Sequence, residues 1–210
     1  MKRYDDLRDE TATSLHEQRL ESVVRALLQG GVKTVLDLGC GGGELLLRLA
    51  REPLFNRITG IDIAPKALSA AHQLLSAAGH LGENRRLALQ LASFTCSLSD
   101  FAEYQGAVLL ETIEHIEPGR LSVVEKSILC DFRPKILVVT TPNADYNPLY
   151  GLAPGVLRHA DHRFEWSRFK FRKWACGAAA RNGYRAIFTD IGPADPDLGS
   201  PSQMAVFTLV

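Results

Sequence analysis

Leu20, Val23, Val24, Leu27 and Leu28 recur at spacings of three and four until Gly30-Gly31, which predicts an amphipathic helix stopped by glycine. Ser14 followed by Glu17 has the form of a capping box and predicts where that helix begins. KTVLDL (33–38) is a short apolar run of the kind found in buried parallel strands. Glycines follow it, then ELLLRLA, which reads as a helix ending near Pro53. RITGID (57–62) is a second strand, and Pro65 opens a helix to about Gly79. LALQLA, GAVLL (106–110) and KILVVT supply three more strands, and Ser167 is placed to cap a helix that runs to Asn182-Gly183. YRAIFTDI and QMAVFTLV, around a Gly/Pro/Asp loop, complete seven strands.

Helices between the first five strands predict an α/β fold with an open, mostly parallel sheet, helices on both faces and an antiparallel final pair. The length of 210 residues suits one domain over 1–210. The stretch from Pro142 to about Arg163 is longer than an ordinary connection, and such loops are usually functional.

Composition narrows the classes. Hydrophobic content of 46% argues against disorder, and a formal net charge of zero argues against a long-range, sequence-independent grip on a nucleic-acid backbone. MKRYDDLRDE has no apolar leader core, and no apolar run approaches membrane-spanning length, so no membrane partner is expected. Cys40, Cys96, Cys130 and Cys176 lack CxxC spacing and read as reduced thiols of a cytoplasmic protein. His16, His72 and His80 read as ordinary helix or surface residues.

Two segments carry chemistry. DLGCGGGE (37–44) follows the first strand and opens a helix, and Gly39, Gly41 and Gly43 permit a tight turn and close approach of backbone N–H groups to a ligand. Asp62, at the end of the second strand, is placed to accept from ribose hydroxyls. Asp37 puts a carboxylate beside the turn, which suits a ligand bearing an amino group better than a pyrophosphate. ETIEHIEP (111–118) follows the fourth strand, which in this topology lies beside the first and opens on the same crevice. A helical reading would put Glu111 on one face with Glu114 and His115. With His162 from DHRFEW (161–166) they form a donor set suited to Mn²⁺, Fe²⁺ or Zn²⁺, and to Mg²⁺ through the carboxylates.

VLDLGCGGG resembles the first motif of class I S-adenosylmethionine-dependent methyltransferases, whose fold is Rossmann-like. The resemblance implies S-adenosyl-L-methionine as cofactor, bound by Asp37, Gly39, Cys40, Gly41, Asp62 and Ile63. It also assigns Ser93 and Phe94 to the adenine. ETIEHIEP, VVTTPNADYNPLY, LRHADHRFEWSRFKF and IGPADPDLGSPSQMAVF narrow it to the Hen-type RNA 3′-terminal 2′-O-methyltransferases, most like the bacterial branch associated with RNA repair. That resemblance assigns Glu111, Glu114, His115 and His162 to a catalytic Mn²⁺ or Mg²⁺, and favours His162 over the nearby His159. It implies an RNA 3′ end with free 2′,3′-hydroxyls, from a small RNA or a cleaved tRNA, and RNA-repair kinase and ligase proteins as partners.

A terminal diol can chelate one ion, which would lower the 2′-hydroxyl pKa and read the RNA end at once. Arg158, Arg163, Arg168, Lys170, Arg172 and Lys173 are candidates for holding the last phosphates, against a solvated helix face. Phe164 and Trp166 are candidates for stacking on a base, against core packing. Thr141, Pro142 and Asn143 read as a loop bordering the site, and Gln18-Arg19 matches a pair in relatives whose role the sequence does not define. The rival readings are a metal-dependent small-molecule O-methyltransferase, a non-catalytic RNA-end-binding module and, more distantly, a dehydrogenase.

Overall fold

A computed structural model describes residues 4–81, 86–96 and 99–210, with side chains from Ser14 onward apart from Ser99. Seven strands form one sheet: β1 (Thr34–Leu38), β2 (Arg57–Asp62), β3 (Leu87–Leu91), β4 (Gly106–Leu110), β5 (Ile136–Pro142), β6 (Tyr184–Ile191) and β7 (Ser202–Leu209). Their order is β3-β2-β1-β4-β5-β7-β6, and β7 runs antiparallel to both of its neighbours. The apolar runs explain the order. β1, β4 and β5 are buried along nearly their whole length and take central places, whereas β3 and β6 alternate buried and open positions and lie at the edges.

Helices α1 (Tyr4–Gln29), α2 (Glu44–Arg51) and α3 (Pro65–Ala77) cover one face. There Leu20, Val23, Leu27, Leu46 and Leu75 pack with Val35, Ile58, Val108 and Val138. Helices α4 (Leu121–Glu125), extended by a π-helical turn over Lys126–Phe132, and α5 (Arg168–Asn182) cover the other. Ile128, Phe171 and Ala175 pack there with Leu36, Ala107, Leu109, Leu137 and Phe207. Successive strand residues alternate between the two cores, as a two-residue strand period requires. Among the described residues no helix is long and apolar enough to cross a membrane.

Three local expectations are corrected. The first helix begins at Tyr4, so Ser14 lies inside it, where its Oγ sits 3.4 Å from Gln18 Nε2 and caps nothing. The helix runs on through this polar stretch although its Asp, Thr and Ser residues are weak helix formers. Between β3 and β4 the described residues hold a 3₁₀ turn, Ser99–Phe101, rather than an α-helix. The ETIEHIEP segment is not one helix: it holds a 3₁₀ turn at Ile113–His115, its Pro118 opens another over Pro118–Arg120, and Glu111 stands before both with φ of 47°. Ser167 does cap α5, its side chain accepting from Lys170 N at 3.3 Å, and Gly183 closes that helix in the left-handed conformation.

Candidate functional site

The carboxyl ends of β1, β2 and β4 open on a cavity of about 840 Å³. Its wall includes Asp37, Gly39, Cys40, Gly41, Asp62, Ile63, Ser93 and Phe94 at one end, and Glu111, Glu114, His115 and His162 at the other. The two groups are separated in sequence but meet because β4 pairs directly with β1.

At the first end the chain reverses through Gly39, whose φ of 80° is rarely adopted by residues with a side chain and whose absent Cβ would meet Thr112 Cγ2 at 2.6 Å. Gly39 N and Cys40 N donate to Ile61 O at 2.8 and 3.0 Å, holding the turn against β2. Asp62 Oδ2 accepts from Gly41 N at 3.0 Å and Oδ1 from Ala64 N at 2.8 Å. These bonds fix its carboxylate at the crevice, and each oxygen keeps a lone pair for a ligand hydroxyl. Asp37 is 2% exposed, and burial, reinforced by the neighbouring Asp62 charge, pushes its carboxyl up to about 7. The same effects, with the Asp37 charge, push the Cys40 thiol up to about 12. Ile63, 71% exposed, offers an apolar rim.

At the second end Glu111, with φ of 47°, lines the cavity. That unfavourable conformation is held by Glu111 N donating to Thr140 O at 3.2 Å and Thr140 Oγ1 at 3.0 Å. Glu114 is fully buried, and Thr141 Oγ1 donates to its Oε2 at 3.0 Å. Burial, and then the Glu111 charge, hold the Glu114 carboxyl well above the ordinary range. Glu111 Oε1 and Glu114 Oε1 are both buried without a hydrogen-bond partner. Uncompensated buried carboxylate oxygens are costly, and a bound cation would relieve that cost.

Donor atoms of Glu114, His115 and His162 lie within 4.8 Å of one another. The imidazole rings of His115 and His162 stand 4.9 Å apart, nearly perpendicular. His115 Nδ1 lies 3.2 Å from Asp161 O, and Arg163 N donates to Glu114 O at 2.8 Å, so the 3₁₀ turn and the DHRFEW loop are tied together. Burial, then the His162 charge, lower the His115 pKa and favour the neutral ring that a metal ligand needs. Glu111 lines the same cavity but is not in that close group, its Oε2 being paired with Arg19; the one carboxylate and two imidazoles that are brought together fit a borderline divalent ion.

The role of Arg19 was not legible in the sequence. Its Nη2 lies 3.0 Å from Glu111 Oε2 and its Nε donates to Ser202 Oγ at 2.7 Å, so α1 supplies the cation that neutralises Glu111. His16, on α1, also lines the cavity, with its Nε2 3.1 Å from Glu44 Oε2. His159 lines it too, but is open to solvent, with its ring 5.7 Å from that of His162.

The basic cluster divides between an inward Arg158 and more open members. Arg158 is turned inward, donating through Nε to Asn147 Oδ1 at 2.6 Å, through Nη1 to Pro201 O at 2.8 Å and through Nη2 to Asn143 O. Arg163 pairs with Glu117, Arg168 with Asp145 and Arg172 with Asp190, while Lys170 and Lys173 are exposed. Phe164 and Trp166 pack on each other at 4.4 Å, and Trp166 on Trp174 at 5.1 Å, so they serve the core. Thr141 and Pro142 belong to β5, and Asn143 Nδ2 donates to Leu198 O and Ser200 O, each at 2.8 Å.

This sheet order, with its glycine turn ahead of α2, is the class I S-adenosylmethionine-dependent methyltransferase fold. A family model described as a methyltransferase domain matches residues 35–129. The crystal structure of the methyltransferase domain of bacterial CtHen1 is similar at a TM-score of 0.83 and 39% identity, covering 93% of this chain and 100% of that one. The small RNA 2′-O-methyltransferase of Mus musculus is 34% identical over 202 residues, 92% of this chain and 51% of that protein. A chain in a Pnkp1/Rnl/Hen1 RNA repair complex shares the fold at a TM-score of 0.70 and 23% identity, over 92% of this chain and 41% of that one. The chain belongs to the Hen1 family of methyltransferase domains, and it spans about half the length of the curated mouse relative.

Proposed function

We propose that this chain transfers the methyl group of S-adenosylmethionine to the 2′-oxygen of the 3′-terminal ribose of RNA. A divalent ion, Mn²⁺ or Mg²⁺, would be held by Glu111, Glu114, His115 and His162. One observation carries the reading: a single cavity is walled by the glycine turn and Asp62 at one end and, at the other, by two carboxylates with unpartnered buried oxygens. The residues present fit both groups.

Asp62 would receive the ribose hydroxyls of the cofactor, and Asp37 its ammonium, which would relieve the cost of a buried carboxylate. Phe94, nearly buried, and the open Ile63 would border the adenine. When bound, the ion acidifies and orients the ribose hydroxyl. Arg19 pairs with Glu111 through Oε2 and Thr141 donates to Glu114 Oε2, so that the Oε1 atom of each carboxyl is left without a protein partner. A neutral chain can recognise RNA this way, because the terminal diol rather than the phosphate backbone is read.

The test is transfer from methyl-labelled S-adenosylmethionine to a short RNA ending in a 2′,3′-diol, with Mn²⁺ or with chelator, beside the same RNA carrying a 3′-phosphate. Metal-dependent labelling of the diol end alone is expected. Labelling of a catechol and not of RNA would establish the small-molecule reading instead. Within this proposal the repair branch follows the Pnkp1/Rnl/Hen1 neighbour, and co-purification with a repair kinase and ligase from the native host checks it.

A further inference from the structure

We infer that Glu165 is a positioning residue that fixes His162 with its proton on Nδ1 and its Nε2 lone pair open to the cavity. This rests on the metal-holding reading proposed above. Glu165 Oε1 lies 2.6 Å from His162 Nδ1, in a side chain only 1% exposed. Asn147 Nδ2 donates to Glu165 Oε2 at 2.7 Å, and Arg158 N donates to Oε1 at 2.7 Å. A buried carboxylate that collects donors in this way acts as an acceptor, so the close contact requires the proton on Nδ1. The other ring nitrogen is then the ligand atom, since the hydrogen bond made by one nitrogen sets the state of the other.

The two histidines are oriented by different groups. His115 Nδ1 meets a neutral carbonyl, Asp161 O, at 3.2 Å, whereas His162 Nδ1 meets a carboxylate. A carboxylate behind an imidazole makes it a stronger ligand, and losing such an outer partner typically weakens metal affinity by about 10–100-fold. Glu165 is itself braced. Asn147, which holds its Oε2, accepts from Arg158 Nε at 2.6 Å, and Arg158 also ties to Pro201 O. The long loop after β5 therefore serves to stiffen one ligand of the site.

Two readouts test this on the full chain. Long-range ¹H–¹⁵N spectra of the metal-free protein at pH 8 should show the His162 proton on Nδ1, and Glu165→Ala should redistribute it. Titration with Mn²⁺, followed by electron paramagnetic resonance, should show affinity about 10–100-fold weaker in Glu165→Ala. Glu165→Gln, which keeps an acceptor but not the charge, should fall between the two, with S-adenosylmethionine affinity unchanged. A proton on Nε2 of His162 in the wild type would overturn the inference, as would wild-type Mn²⁺ affinity in Glu165→Gln and Glu165→Ala. If Glu165→Ala does not fold, the wild-type spectrum and Glu165→Gln decide. A proton on Nδ1 in a wild type that binds no Mn²⁺ would instead remove the metal-holding reading and leave the Glu165 grip on His162 standing.

Discussion

Replacing Asp37 by asparagine should make the cofactor-free, metal-free protein more stable at pH 8 and leave it without a cofactor response. The carboxyl is 2% exposed and is displaced from its ordinary 3.8 to about 7, chiefly by burial and then by Asp62. At ~1.36 kcal/mol per pH unit, that displacement corresponds to about 4 kcal/mol against the ionised form. The folded-state pKa is raised, so the stability associated with the protonated group is fully present below about pH 4. It is lost as pH rises through about 7. The amide side chain of Asp37→Asn cannot ionise, and other titrating groups contribute to both proteins, so their difference isolates this carboxyl. Urea unfolding at a series of pH values should show the variant gaining on the wild type from pH 4 upward and levelling off above pH 7, by up to about 4 kcal/mol. Saturating S-adenosylmethionine, at about 1,000 times Kd, should add ~4 kcal/mol to the wild type and little to the variant. A difference that is flat with pH, or a variant less stable at pH 8, would refute the reasoning about the buried carboxylate. An undiminished cofactor response would refute its pairing with the ligand.

Gly39→Ala should cost about 1–3 kcal/mol of stability through the positive φ and the Thr112 clash, and should weaken cofactor binding by calorimetry. Arg19→Ala leaves Glu111 without its cation beside Glu114, so thermal unfolding of the metal-free protein should show a loss of about 2–4 kcal/mol, smaller in saturating Mn²⁺. Cys96, Cys130 and Cys176 are exposed, whereas Cys40 is buried with its thiol pushed up to about 12. Peptide mapping after alkylation of the native protein at pH 8 should find the first three modified and Cys40 protected.

The strands were legible because most of them are buried and strongly apolar, and the two-residue alternation that divides the cores follows from strand geometry. The ends of elements were less so. Tyr4–Ser14 is polar and helical, and nothing in its local pattern separates a helix that continues from one that starts at Ser14. Spacing and motif picked out residues that the structure sets around one cavity, yet the helical face invoked for Glu111 and His115 is not there. In its place stand a left-handed Glu111 after β4 and a 3₁₀ turn, and single-residue φ does not follow from spacing. Arg19 and Glu165 were visible as residues but not as contacts. Arg19 reaches Glu111 and Ser202 across 92 and 183 positions, pairings that only the docked α1 creates. Glu165 lies three residues from His162, close enough to have been suspected from the DHRFEW run. Within the basic cluster the inward turn of Arg158 was not legible either, because its partners Asn143, Asn147 and Pro201 lie elsewhere in the sequence.

The central claim is that one cavity brings a methyl donor to a chelated terminal ribose, and the product reports on it most directly. RNA with a 2′,3′-diol end would be treated with enzyme, S-adenosylmethionine and Mn²⁺, digested to nucleosides and analysed by mass spectrometry. One methyl group is expected, on the 2′-oxygen of the last nucleoside alone, absent with chelator and absent in His162→Ala. Methyl groups on a base or an internal ribose, or a terminal 2′-O-methyl formed equally well in chelator, would contradict the claim.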